Sequence, residues 1–343
     1  MKLRAQNPPH IRSRESNQTV MMDAVIALLP LYAMATYYYG KRAVALGLFS
    51  VAVTAVLDIL CVITRRHVPN IRDLSPVVTG LLLPLLMPAS VRFEVVAVAA
   101  LFAVAVAKHP FGGVGENIFN PAVAGAAFAT VCWPKAMFLY PVPFELLPVA
   151  VGDSVKLVNS PAYTLMLGGA PSTDMLDMLM GNYAGPMGAT NILVLCTCFL
   201  YLAVRKTVSI WMTGAFLSSA ALVAALMPRA MLSPLASVGY ELMSGLTLIG
   251  AIFLLNDPVT SPKRKLPKLL YGFLAGAVSM LFRHLGGDED SLLFALLVMN
   301  STVWIFDLWG EHLAHAFRRK NIEFKNSSEI SAATEENLGV VQE

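Results

Sequence analysis

The chain has 343 residues, 56% of them hydrophobic and 14% charged, with a formal net charge of +3. Soluble domains carry about 25% charged residues, so this composition excludes an ordinary soluble fold and points to a polytopic membrane protein. The small net charge makes no case for a nucleic-acid partner.

The first twenty residues, "MKLRAQNPPHIRSRESNQTV", are polar and basic. No small-residue cleavage site follows the first apolar run before the next basic pair, so no cleavable signal peptide is expected. A spanning helix needs about 20 mostly apolar residues. Ten such segments are predicted, at 22–39, 43–63, 75–90, 93–107, 121–134, 188–204, 208–227, 237–255, 269–284 and 291–309. The third to fifth are short, and Pro84, Pro88 and Pro121 interrupt or open them. Cys61, Cys132, Cys196 and Cys198 all sit inside apolar runs, which speaks for packing rather than for disulfides or a metal.

Alternating the spans from a cytoplasmic N-terminus puts most of the 25 Lys and Arg residues on the cytoplasmic side. The positive-inside rule then places both termini in the cytoplasm. The halves also echo each other. "TGLLLPLLMP" (Thr79 to Pro88) resembles "SGLTLIGAIFLLNDP" (Ser244 to Pro258), and each is followed by a span and a glycine pair, Gly112–Gly113 and Gly286–Gly287. Five spans per half make the second copy inverted. The expected fold is an all-α polytopic membrane protein of ten spans in two inverted five-helix repeats. Its parts are a cytoplasmic segment 1–21, a first repeat 22–134, an extracytoplasmic loop 135–187, a second repeat 188–309 and a cytoplasmic tail 310–343.

Three polar stretches interrupt the apolar pattern. "KHPFGGVGENIFNPAVAG" (Lys108 to Gly125) falls at the cytoplasmic face. Gly112 and Gly113 permit a tight turn, Asn117 and Asn120 can bond free backbone groups, and Pro121 suits the first turn of the next span. This reads either as a re-entrant turn that caps the fifth span or as a cofactor or ion contact. Asp58 and Asp257 are the ion-path candidates. The alternative for Asp58 is a side chain drawn towards Arg65 and Arg66, and for Asp257 a stop signal before Pro258. The stretch "GGAPSTDMLDMLMGNYAGPMGATN" (Gly168 to Asn191) mixes glycines and hydroxyls on the far side, a composition that can hold an anion.

Together, "PPHIRSRESNQTVMMDAVIALLP" (Pro8 to Pro30), "TGLLLPLLMP", "FGGVGENIFNPAVAG" and "NDPVTSP" resemble, in order, the D subunit of the Rnf electron-transport complex. That family is related to the B subunit of the sodium-pumping NADH:quinone oxidoreductase. The resemblance implies a membrane component of a complex passing electrons between ferredoxin and NAD while moving Na⁺ or H⁺. Sister subunits and the bilayer are its implied partners. It also implies FMN, bound through a phosphoester to a threonine on the outer side, and leaves room for a second, non-covalent flavin. The family's Ser-Gly-Ala-Thr-Pro-Leu motif corresponds to "GGAPSTDML", where Pro171 stands in the threonine's place. Thr173, beside Ser172, is then the candidate attachment residue, with Thr190 the other choice. Two further readings remain open: a flavin-free scaffold subunit, and a small-solute channel or transporter of inverted-repeat architecture.

Overall fold

The computed structural model describes residues 17–66, 68, 73–150, 155–230 and 233–314. Most of the expected N-terminal segment and nearly all of the expected tail lie outside the described residues. Each of the ten predicted spans falls on a helix. The first half comprises α1 (Asn17–Tyr39), α2 (Lys41–Thr64), α3 (Ser75–Leu85), α4 (Phe93–Leu101) and α5 (Pro121–Cys132). α4 runs on through a widened π turn, Phe102–Lys108, and one tight 3₁₀ turn, His109–Phe111. A connecting region follows, with three short helices, α6 (Pro134–Met137), α7 (Pro161–Met166) and α8 (Met175–Met180). It also holds a small antiparallel pair, β1 (Tyr140–Pro141) on β2 (Leu157–Val158), with Tyr140 opposite Val158. The second half comprises α9 (Ile192–Val204), α10 (Ile210–Leu226), α11 (Pro234–Met243), α12 (Thr247–Ile249, continued as a π turn over Gly250–Leu254), α13 (Lys265–Leu285) and α14 (Leu292–Ala314).

Five of these helices are long and apolar enough to cross a bilayer: α1, α2, α4 with its continuation, α13 and α14. α11 and α12, bent by 70° at their junction, make a sixth span if taken together. α3, α5, α9 and α10 are apolar but shorter. At 1.5 Å per residue, the 11 residues of α3 cover about half of a hydrocarbon core of roughly 30 Å.

Two predicted boundaries move for one reason. α3 stops at Leu85 rather than near residue 90, and α9 starts at Ile192 rather than near 188. The chain just before α9 completes the end of α3: Gly188 N–H donates to Leu85 O at 2.8 Å, and Met187 N–H to Met87 O at 3.1 Å. Only glycine fits at 188, because a Cβ there would lie 2.7 Å from the Leu85 side chain and 2.8 Å from that of Ile249. Arg42, buried at the start of α2, takes the next free carbonyls, Ala89 O at 2.7 Å and Val91 O at 2.6 Å. A half-helix whose last carbonyls would be orphaned in lipid is thereby satisfied by protein.

The surface is built for lipid. α2 turns Ser50, Thr54 and Asp58, one turn apart, into the interior, while Leu48, Val56 and Leu60 are exposed. α10 and α13 cross tightly where Gly272 and Gly276, four residues apart, bring backbones together. A Cβ at Gly276 would sit 2.2 Å from Phe216 O and 2.2 Å from Ser219 Oγ. Gly276→Leu is therefore expected to destabilise the detergent-solubilised protein by about 1–3 kcal/mol or more. Thermal unfolding of the variant against Gly214→Leu, which meets open space, checks this.

Side-chain contacts between helix ends define two ends of the molecule. The near end holds the start of α1 and the end of α9, joined by an Asp23–Arg205 ion pair of 3.1 Å. The end of α14 is there too, where Asp307 accepts from Lys263 N–H at 2.9 Å. The far end holds Tyr38, at the end of α1, which accepts from Asn191 Nδ2 at the start of α9, at 3.0 Å.

Candidate functional sites at the two ends

At the near end the glycine-rich loop turns as its composition predicts. Gly112, Gly113 and Gly115 take φ of 135°, 104° and 89°, a region that favours glycine. Asn120 Oδ1 accepts from Ala122 N–H at 3.0 Å and Val123 N–H at 3.4 Å, capping α5 ahead of Pro121. Asn117 Nδ2 donates to Phe119 O at 3.0 Å, which holds the loop closed.

The loop delivers two nitrogen-bearing side chains into the interior. Lys108 Nζ meets Asp58 Oδ1 at 2.7 Å, and His109 Nε2 meets the same oxygen at 2.8 Å. Lys108 also donates to Ser75 Oγ at the start of α3. All three of Asp58, Lys108 and His109 are buried. Asp58 does not turn to Arg65 or Arg66 in this structure: Arg65 Nη1 instead donates to His109 O at 2.8 Å. In sequence, Lys108 counts only as a topological charge. The available signal for its role is a lysine directly following an unbroken apolar run.

Two clefts meet at this ion pair. One, of about 720 Å³, is lined by Asp58, His109, Gly112 and Gly113 together with Arg65 and Asp73. The other, of about 120 Å³, is lined by Lys108, Asn117, Asn120, Asn256 and Asp257. The fold therefore gathers Asp58, Asp257 and the loop residues Gly112, Gly113, Asn117 and Asn120, three separate stretches of the sequence, into one region. Asp257 is half-buried. Desolvation pushes its pKa above the usual carboxylate value, against hydrogen bonds from Val259 N–H and the Thr260 hydroxyl. Asn256 clamps the start of α10, accepting from Ser209 N–H at 3.0 Å and donating to Thr213 Oγ1 at 2.8 Å.

Ser172, Thr173 and Thr190 belong to the far end. Ser172 and Thr173 line a cleft of about 250 Å³ with Ser160, Asn182 and Tyr183. The Thr173 hydroxyl oxygen is buried without a hydrogen-bond partner, while its carbonyl accepts from Tyr240 Oη at 3.2 Å. Thr190 is 1% exposed. The helix-end bond beside Thr190 is made by its neighbour: Asn191 Oδ1 accepts from Val194 N–H at 2.9 Å. Asn191 already takes the preferred cap geometry, which leaves Thr190 one residue outside the helix.

The break between α11 and α12 is held by the hairpin of α13 and α14. Arg283 donates to Glu241 O at 2.8 Å and to Ser244 Oγ at 2.7 Å, and so covers the carbonyl end of α11. Asp290 accepts from Leu246 N–H at the amide end of α12. A cation at the C-terminal end and an anion at the N-terminal end complement both helix dipoles. Glu241, fully buried, lies between Arg283 at 3.3 Å and Arg229 at 3.4 Å. In sequence, "GGDEDS" is an acidic loop suited to solvent; in the fold, Glu289 and Asp290 are buried structural groups.

A mostly helical chain with broken apolar helices, an apolar outer surface and charges paired in its interior is a polytopic membrane protein. The chain belongs to the NQR2, RnfD, RnfE family, whose model matches residues 4–313. It is 31% identical over 307 residues to the D subunit of the Na(+)-translocating ferredoxin:NAD(+) oxidoreductase complex of Acetobacterium woodii, covering 88% of this chain and 91% of that one. It is 28% identical over 336 residues to the D subunit of the ion-translocating oxidoreductase complex of Vibrio cholerae, covering 88% and 95%. It is 26% identical over 319 residues to the D subunit of the proton-translocating ferredoxin:NAD(+) oxidoreductase complex of Clostridium ljungdahlii, covering 91% and 95%.

Proposed function

We infer that this chain is the D subunit of an Rnf-type complex, which oxidises ferredoxin, reduces NAD and moves Na⁺ or H⁺ with the help of sister subunits. The observation that carries this reading is the end-to-end match to relatives named as that subunit. The ten helical segments act as two inverted five-helix repeats with both termini in the cytoplasm. The chemistry of the two ends supports the inversion. Lys108–His109 and Arg283–His284 each precede a glycine pair, and each buried cation meets an acid, at opposite ends of the molecule. With the near end cytoplasmic, Asp58 and Asp257 line the ion's approach from that side.

The residues at the far end fit a phosphoester-linked FMN in one respect. An esterified threonine oxygen has no proton to donate, so the unpartnered Thr173 hydroxyl loses nothing on attachment. Ser172 and Asn182 offer hydrogen bonds to a phosphate in the same cleft. When bound, FMN supplies a carrier for one or two electrons. Asn117 and Asn120, in the near-end cleft, are the residues for a second, non-covalent flavin.

Membrane vesicles from cells lacking the chain are expected to lose ferredoxin-driven NAD reduction together with the coupled ion uptake. Retention of both would refute the reading. Mass spectrometry of the wild-type chain is expected to find an FMN mass on the Thr173 peptide, absent in Thr173→Ala. The same mass on Thr190 alone would reverse the choice of residue, and no added mass on either peptide would leave the chain without covalent flavin.

A further inference from the structure

We propose that Glu289 is a proton-binding site at the far end, and that its proton sets how firmly the cap segment from 155 to 187 is held on the α13–α14 hairpin. Glu289 sits in the turn between those helices and is 2% exposed. Both of its carboxyl oxygens reach across to the connecting region. Oε1 lies 2.8 Å from Tyr140 Oη on β1, and Oε2 lies 2.7 Å from Ser160 Oγ, the cap of α7. One side chain thus ties two separate parts of the connecting region to the hairpin that holds the α11–α12 break. Ser160 also lines the cleft that contains Thr173.

The surrounding charges explain why a proton belongs here. α13 contributes Arg283, whose Nε donates to the Glu289 carbonyl at 3.1 Å. Arg229, just before α11, and Glu241, within it, belong to the same cluster, and Asp290 follows in the turn. Two arginines are balanced by Glu241 and Asp290, which leaves an ionised Glu289 as uncompensated buried negative charge. His284 faces away, bonded to the carbonyls of Met280 and Met227. Among the remaining titratable neighbours, the phenols of Tyr140 and Tyr183 are pushed upward by burial and stay neutral. Desolvation raises the Glu289 carboxyl to about 7, opposed by the hydrogen bonds from Ser160 and Tyr140. A folded-state pKa raised above the unfolded one favours the protonated form. The hold on the cap is therefore complete at acidic pH and is lost as pH rises through about 7.

The test uses the whole chain in detergent, titrated across neutrality. Infrared difference spectra are expected to show a protonated-carboxyl band that disappears near pH 7 and is missing in Glu289→Gln. Hydrogen exchange of the cap peptides, corrected for intrinsic base catalysis, is expected to accelerate over the same range in wild type but not in Glu289→Gln. Ser160→Ala guards against a Glu289 variant that fails to fold. It removes one donor to the charged form and is expected to move the midpoint upward by roughly one pH unit. A band that survives Glu289→Gln, a cap exchange profile shared by wild type and that variant, or a midpoint unmoved by Ser160→Ala would each overturn the proposal.

Discussion

Lys108→Met is expected to destabilise the protein by about 3–5 kcal/mol, because it leaves the buried Asp58 carboxylate without its cation. Asp58→Asn alone is expected to cost a similar amount, since Lys108 is itself buried between α2 and α3. The double variant Asp58→Asn/Lys108→Met removes both charges and is expected to recover most of the loss. Thermal unfolding of the four proteins in detergent forms the cycle that isolates the pair. Simple addition of the two single losses would show that the pair is not coupled. The double variant also separates stability from function. If Asp58 lies on the ion's approach, the recovered protein assembles into membranes but supports little ion uptake. Wild-type uptake by the double variant would confine Asp58 to a structural part.

Arg283→Met has the other large effect. Arg283 covers the carbonyl end of α11, meets Glu241, and donates to the backbone of Glu289. Removing it orphans those carbonyls and leaves Glu241 with Arg229 alone, at 3.4 Å. A loss of about 3–5 kcal/mol is expected from the broken buried pair, before the capping loss is added. Adding Glu241→Gln to Arg283→Met is expected to restore only part of this, because the free carbonyls at the break remain. Full recovery in the unfolding measurement would mean that charge pairing, and not the closing of the break, is what Arg283 supplies.

Much of the fold was legible in the sequence. In a bilayer every backbone group must be satisfied within the protein, so an apolar run of sufficient length has to be a helix. Five runs became helices long enough to cross, six with the bent α11–α12 pair, and the others became shorter apolar helices. The turn at Gly112 and Gly113 and the Asn120–Pro121 start of α5 were legible too, because capping and turn chemistry are decided by residues a few positions apart. The ends of α3 and α9 were not. They are fixed by one another, through Gly188 and Leu85, across a long stretch of intervening chain.

The candidate sites divide along the same line. Composition alone determined that the chain lives in a membrane, and its local motifs determined the family it resembles. Asp58 and Asp257 stood out simply as acids at membrane depth. Their surroundings did not, since the partners of Asp58 arrive from the C-terminal continuation of α4 and Asp257 joins the cleft from the other half of the chain. Glu289 shows the limit most clearly. In sequence it is one acid in an acidic loop, where solvent is the natural surrounding. Only the packing of β1 and α7 over the α13–α14 turn removes that solvent, and a carboxyl's charge state depends on what surrounds it rather than on its neighbours in the chain.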